Sequence, residues 1–182
     1  MNLFRWDMRT QPATEVPGVR EATTNDFRDS VDGPTVVPGM YTAVLQYGEK
    51  KMTQPVRFQL DPRLHAAATD LDARFALEMR VHTTLDHLDR MIIAAMDAAR
   101  RSGPAKRAQV YEVIDTLINR NMHSSEGDVL HETRLRDHLA FLQNQMELAY
   151  ERPTAAEYAT YEELQARAVA GEASLQRMMA LR

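Results

Sequence analysis

One change of period constrains this chain more than any other feature. Up to residue 60 its ordered-looking stretches alternate with period 2, and after Pro62 the apolar residues recur every three or four positions. Tyr41, Ala43, Leu45 and Tyr47 fall on one face of a strand, with Thr42, Val44 and Gln46 on the other. Gly48-Glu49 supplies a turn, and Val56, Phe58 and Leu60 then alternate with Arg57 and Gln59. Pro55 has no N–H for a ladder, which places that strand at an edge or at a bulge. A further strand is expected at Phe4, Trp6 and Met8, whose polar neighbours are Arg5, Asp7 and Arg9. Residues 10–39, with four of the eight prolines, read as loop.

The second half reads as helices. Leu77, Val81, Leu85, Leu88, Ile92, Ala95 and Ala99 form one apolar stripe, with Thr69 as the expected N-cap. Ser102-Gly103-Pro104 ends that helix and permits the next, whose stripe is Val110, Ile114 and Leu117. A third stripe uses Leu135, Leu139, Leu142 and Met146, after a loop at 122–128. Thr154 and Glu157 have capping-box spacing ahead of a last stripe through Tyr158, Tyr161, Leu164, Ala168, Leu175 and Met179. Short connections make these helices an antiparallel hairpin or bundle. The expected fold class is therefore α+β. A small antiparallel β part in residues 1–61, fibronectin- or immunoglobulin-like and not necessarily complete, precedes a helical bundle in residues 62–182.

Composition excludes several classes of function. The net charge is −4, and the two parts carry 7 basic with 8 acidic and 15 basic with 18 acidic residues, so neither offers the basic face of a nucleic-acid binder. Without cysteine there is no disulfide or thiolate metal site. No apolar run reaches the roughly 18 residues that span a bilayer. The N-terminus has neither the basic nor the apolar region of a signal peptide, and its start on a strand-like pattern suggests an internal methionine or a trimmed chain.

No constellation of residues converges on catalysis. His82 and His87 point to different faces of one helix, and His131 and His138 lie roughly 10 Å apart along another. No HExxH, E-x-x-H, P-loop, GxGxxG or GxSxG occurs. Asp86, Asp89, Glu132 and Asp137 read as solvated helix faces. Ser124 and Ser125 beside His123 read as a chance cluster. Met91, Met96, Met146, Met178 and Met179 read as core filling. No catalytic residue, metal site or cofactor is expected. The residues singled out as a possible interface are Phe4, Trp6, Tyr41, Tyr47 and Phe58, aromatic side chains on the strands.

The same segments carry a resemblance. Asn2-Leu3-Phe4-Arg5-Trp6-Asp7-Met8-Arg9, Gly33-Pro34 with Pro38-Gly39-Met40-Tyr41-Thr42, and Thr53-Gln54-Pro55-Val56 with Asp61-Pro62-Arg63 resemble one region of large bacterial proteins. That region follows the β-propeller in proteins with sortilin-like or BNR (sialidase-type) repeats. Gly127-Asp128, Leu135 to Leu139, Pro153-Thr154 and Tyr161 to Leu164 are similar to its closing helices. No Asp-box of the S-x-D-x-G-x-T-W kind occurs, so the propeller's catalytic residues have no counterpart here.

The resemblance implies a non-catalytic accessory module of an exported, extracellular or periplasmic protein. Its partner would be the preceding propeller domain or another protein chain. Two alternatives compete with that expectation. One is a glycoside hydrolase part whose loop 10–39, with Asp26, Asp29 and Asp32, faces substrate. The other is a free-standing helical adaptor.

Overall fold

The computed structural model describes residues 3–19, 32–120 and 132–180. The architecture is α+β, with a two-stranded antiparallel sheet followed by a helical bundle. Strand β1 (Gly39–Tyr47) pairs with β2 (Lys50–Phe58) in a register running from Tyr47 opposite Lys50 to Gly39 opposite Phe58. Gly48 takes φ +58° at the first central position of the two-residue turn, the conformation glycine adopts without strain. Counting from that turn, Thr42 opposite Pro55 is a pair that exchanges no ladder hydrogen bonds. The missing N–H of Pro55 therefore points outward and costs no pairing.

The expected strand at Phe4–Met8 does not form. Met8 has φ +63°, which breaks the alternation, and only a single antiparallel bridge, Arg9 to Thr35, follows it. Phe4 is left 88% exposed. Among the described residues the β part is thus one antiparallel hairpin with an isolated bridge beside it. Residues 3–19 instead form an irregular strap that runs over the helices, with Ala13 and Val16 inside their hydrophobic core.

Asp61, Pro62 and Arg63 make the hinge between hairpin and helices. The Asp61 carboxylate accepts from the Arg63 N–H and caps the 3-10 turn Pro62–Leu64. Helix α1 (Ala68–Arg100) has Ala67 at its N-cap, with no side-chain cap hydrogen bond and two residues before the expected Thr69. Its stripe from Leu77 to Ala99 is buried throughout.

Helix α2 (Pro104–Leu117) starts with proline at its first position. Helices α3 (Leu135–Glu147) and α4 (Ala155–Ala180) complete the described bundle, and α1 packs against each of the other three. The capping box ahead of α4 is present, with the Glu157 N–H donating to Thr154 Oγ1 and Glu157 Oε2 accepting from the Thr154 N–H. Met146 is buried, and Met91, Met96, Met178 and Met179 pack around the core.

Candidate functional site

The hairpin is an arm. Nine residues per strand make it about 30 Å long, and no helix packs against either strand among the described residues. Cross-strand partners share a face, so Tyr41, Ala43, Leu45 and Tyr47 lie on the same side as Val56, Gln54, Met52 and Lys50. That side is apolar apart from Gln54 and the tip lysine. It is also open, with Tyr47 at 83%, Leu45 at 61% and Met52 at 60% exposure. The opposite side mixes Met40, Val44 and Pro55 with Thr42, Gln46, Lys51, Thr53 and Arg57.

At the root of the arm the apolar side is partly covered. The Trp6 ring stands edge-on to Tyr41 with centroids 5.3 Å apart and planes at 64°, the favoured geometry for an aromatic pair. Trp6 Nε1 donates to the Arg9 carbonyl and the Tyr41 hydroxyl donates to the Val37 carbonyl. Of the aromatic residues singled out from the sequence, Trp6, Tyr41 and Phe58 are half-buried at this root. Tyr47 stands at the far tip of the same face, and Phe4 lies apart on the exposed start of the strap.

The arm is rooted in the bundle by charges. The Thr10 N–H donates to the Pro34 carbonyl and the Val36 N–H to the Met8 carbonyl, which joins the strap to the chain entering β1. Gly33 is required at this crossing, since a Cβ there would meet Thr10 and Gln11 carbonyl oxygens at 2.3 and 2.5 Å. Arg9 then forks onto both oxygens of Glu147 at the end of α3, at 2.6 and 2.9 Å, and donates to the Gly33 carbonyl. Gln143 donates to the Asp32 carbonyl, and the Thr14 N–H and hydroxyl both donate to Asp86.

Behind Arg9 lies a buried polar seam between α1 and α3. Arg136 Nε contacts both oxygens of Asp89 at 2.8 and 3.0 Å. Arg74 donates to the Ala149 carbonyl past the end of α3 and stacks over Tyr150. Glu78 is fully buried, 3.4 Å from Arg74 Nε, and neither of its oxygens has a hydrogen-bond partner among the described residues. Burial pushes its carboxyl up to about 7, against the pull of Arg74 and with the help of Glu147. Asp89 is pushed up to about 6 by burial, opposed by Arg136. These positions correct the reading of Asp86, Asp89 and Asp137 as a solvated face, for Asp89 and Asp137 are buried and Asp86 holds the strap.

Sequence reasoning missed the seam, although it left a signal. Arg74, Glu78, His82 and Asp89 follow at helical spacings beside the apolar stripe, and Arg136, Gln143 and Glu147 do the same on α3. A polar row adjoining an apolar row marks the border at which another element packs.

The remaining candidates fall apart in space or outside the described residues. Asp26, Asp29, His123, Ser124, Ser125 and His131 lie outside them. His87 pairs with Glu172, and His82 is buried. Among the described residues no three His, Asp or Glu side chains come together to hold a metal ion, and no described helix is long and apolar enough to cross a membrane. A groove of 540 Å³ between α3 and α4 is lined by Phe141, Leu142, Glu157, Glu163 and Arg167 among others.

Fold and site together define a helical bundle that carries an amphipathic β-hairpin arm. No protein-family model, curated protein or solved structure matches the chain.

Proposed function

We propose that this chain is a non-catalytic accessory module that packs against a neighbouring protein surface through its hairpin arm. The observation that carries this reading is the open apolar side of the arm, from Val56 through Leu45 and Met52 to Tyr47. A lone two-stranded hairpin is marginal in water and gains stability when its apolar side is covered. Alternating apolar residues on a twisted pair of strands suit a sheet-on-sheet contact. The resemblance to the region after a sortilin-like or BNR propeller names the neighbour. It is the preceding part of an exported propeller protein, or another chain standing in its place.

The test has two parts. The reading frame upstream of Met1 is read for a propeller, and its absence overturns the named neighbour. The Leu45→Ser/Met52→Ser variant is then compared with wild type for association with that upstream region. Undiminished association overturns the arm as the contact.

A further inference from the structure

We propose that Glu78, Arg9 and Glu147 form a proton-operated latch, which holds the strap and the root of the arm on the bundle while Glu78 is protonated and lets go as it ionises. The geometry puts the latch at one crossing. Arg9 belongs to the strap, is bonded to Glu147 of α3 and to the Gly33 carbonyl, and sits next to the bridge that enters the arm. Glu78 of α1 lies behind it, fully buried, with both oxygens unbonded among the described residues. The charged and titratable groups around it are Arg74 and His82 from its own helix, Glu147 from α3 and Arg9 from the strap. Asp7 and Asp32 act in turn on Arg9.

Protonated, Glu78 is a neutral side chain in a buried place, and Arg9 serves Glu147 and the Gly33 carbonyl. Ionised, it is a buried anion with only the 3.4 Å approach of Arg74 Nε and the pull of Arg9 to offset its loss of water, and Glu147 repels it. Water can reach it if α1 and α3 part or if the strap lifts. The helices are joined along buried stripes and by the Asp89–Arg136 pair. The strap is held by the bridge, two core residues and its polar ties to Glu147 and Asp86, and the chain entering the arm is tied at Asp32 to Gln143. The strap is therefore the side that moves, and the arm's root moves with it.

The folded carboxyl lies above its ordinary value, so the latch is firm at low pH and weakens as pH rises toward about 7. With an ordinary value of 4.5 in the open state, the open fraction grows about tenfold between pH 6 and pH 8.

Hydrogen exchange on the full chain, corrected for the intrinsic pH dependence of exchange, reads this at the Thr10 and Val36 amides that form the bridge. Wild type is expected to lose about tenfold in protection at these amides from pH 6 to pH 8, with the amides of Leu85 and Ile92 unmoved. Glu78→Gln is expected to abolish the loss. Unchanged protection in wild type overturns the latch, as does a loss shared equally by α1 or one that persists in Glu78→Gln. If that variant does not fold, carbon-13 titration of the wild-type glutamates decides. One side-chain carboxyl must titrate near neutral pH in step with the Thr10 and Val36 shifts, and its absence overturns the proposal.

Discussion

Arg136 and Asp89 meet across the α1–α3 interface with Nε 2.8 Å from one carboxylate oxygen and 3.0 Å from the other, their side chains 3% and 0% exposed. Removing Arg136 alone strands the Asp89 carboxylate away from water. Arg136→Met is expected to destabilise the bundle by about 3–5 kcal/mol. The double variant Asp89→Leu/Arg136→Met is expected to recover most of that loss. Urea unfolding of the three chains checks this, and a double variant no better than the single one would show that the pair supplies net stability.

Two of the buried carboxyls, Glu78 and Asp89, set a pH dependence of unfolding. Glu78 at about 7 and Asp89 at about 6 both lie above their ordinary values, so the folded state holds protons that the unfolded state releases. Their contribution is complete below pH 4 and is lost as pH rises to 7. Stability is accordingly expected to fall between pH 5 and pH 8, and Glu78→Gln to be more stable than wild type at pH 8 by about 1–3 kcal/mol. Thermal melts at pH 5, 6.5 and 8 measure the slope, and a wild-type profile that rises with pH contradicts the assignment.

The crossing of strap and arm root tolerates no side chain at residue 33. Gly33→Ala places a Cβ against backbone carbonyls, which cannot swing aside as a flexible side chain would. A loss of about 1–3 kcal/mol is expected, together with faster exchange at Thr10 and Val36. Gly171 makes the informative contrast, because its close neighbour is the Leu117 side chain. Equal exchange at Thr10 and Val36 in Gly33→Ala and wild type would show that the crossing has room.

The cap of α4 is local and its cost should be local too. Thr154→Ala removes the hydroxyl that accepts from the Glu157 N–H and is expected to cost about 1 kcal/mol. Circular dichroism during denaturation reads the change. A neutral substitution would mean that Glu157 bonding to the Thr154 N–H suffices by itself.

Much of this fold was written in short-range patterns. The stripe from Leu77 to Ala99, the break at Gly103-Pro104, the turn at Gly48-Glu49 and the Thr154–Glu157 box each follow from residues within a few positions of one another. The β part was legible as strands but not as their number. Phe4, Trp6 and Met8 alternate well, and nothing nearby announces the left-handed Met8. The charges were harder still, since Arg9 and Glu147 are 138 positions apart. A buried acid such as Asp89 looks like a solvated one until its partner helix is in place. The aromatic residues gathered at the arm were found from their alternation, and which side of the arm they share follows from the register.

Among the described residues no helix supports the arm, and the proposed neighbour would complete it. Hydrogen exchange at the Leu45 and Met52 amides, a pair that exchanges ladder hydrogen bonds, tests this, in the 182-residue chain alone and in the chain extended upstream through its reading frame. Alone, these amides should exchange with little protection while those of α1 approach the global stability. Extended, they should gain at least about 100-fold in protection. Arm amides as slow as α1 in the isolated chain, or equally fast in both chains, would contradict the account.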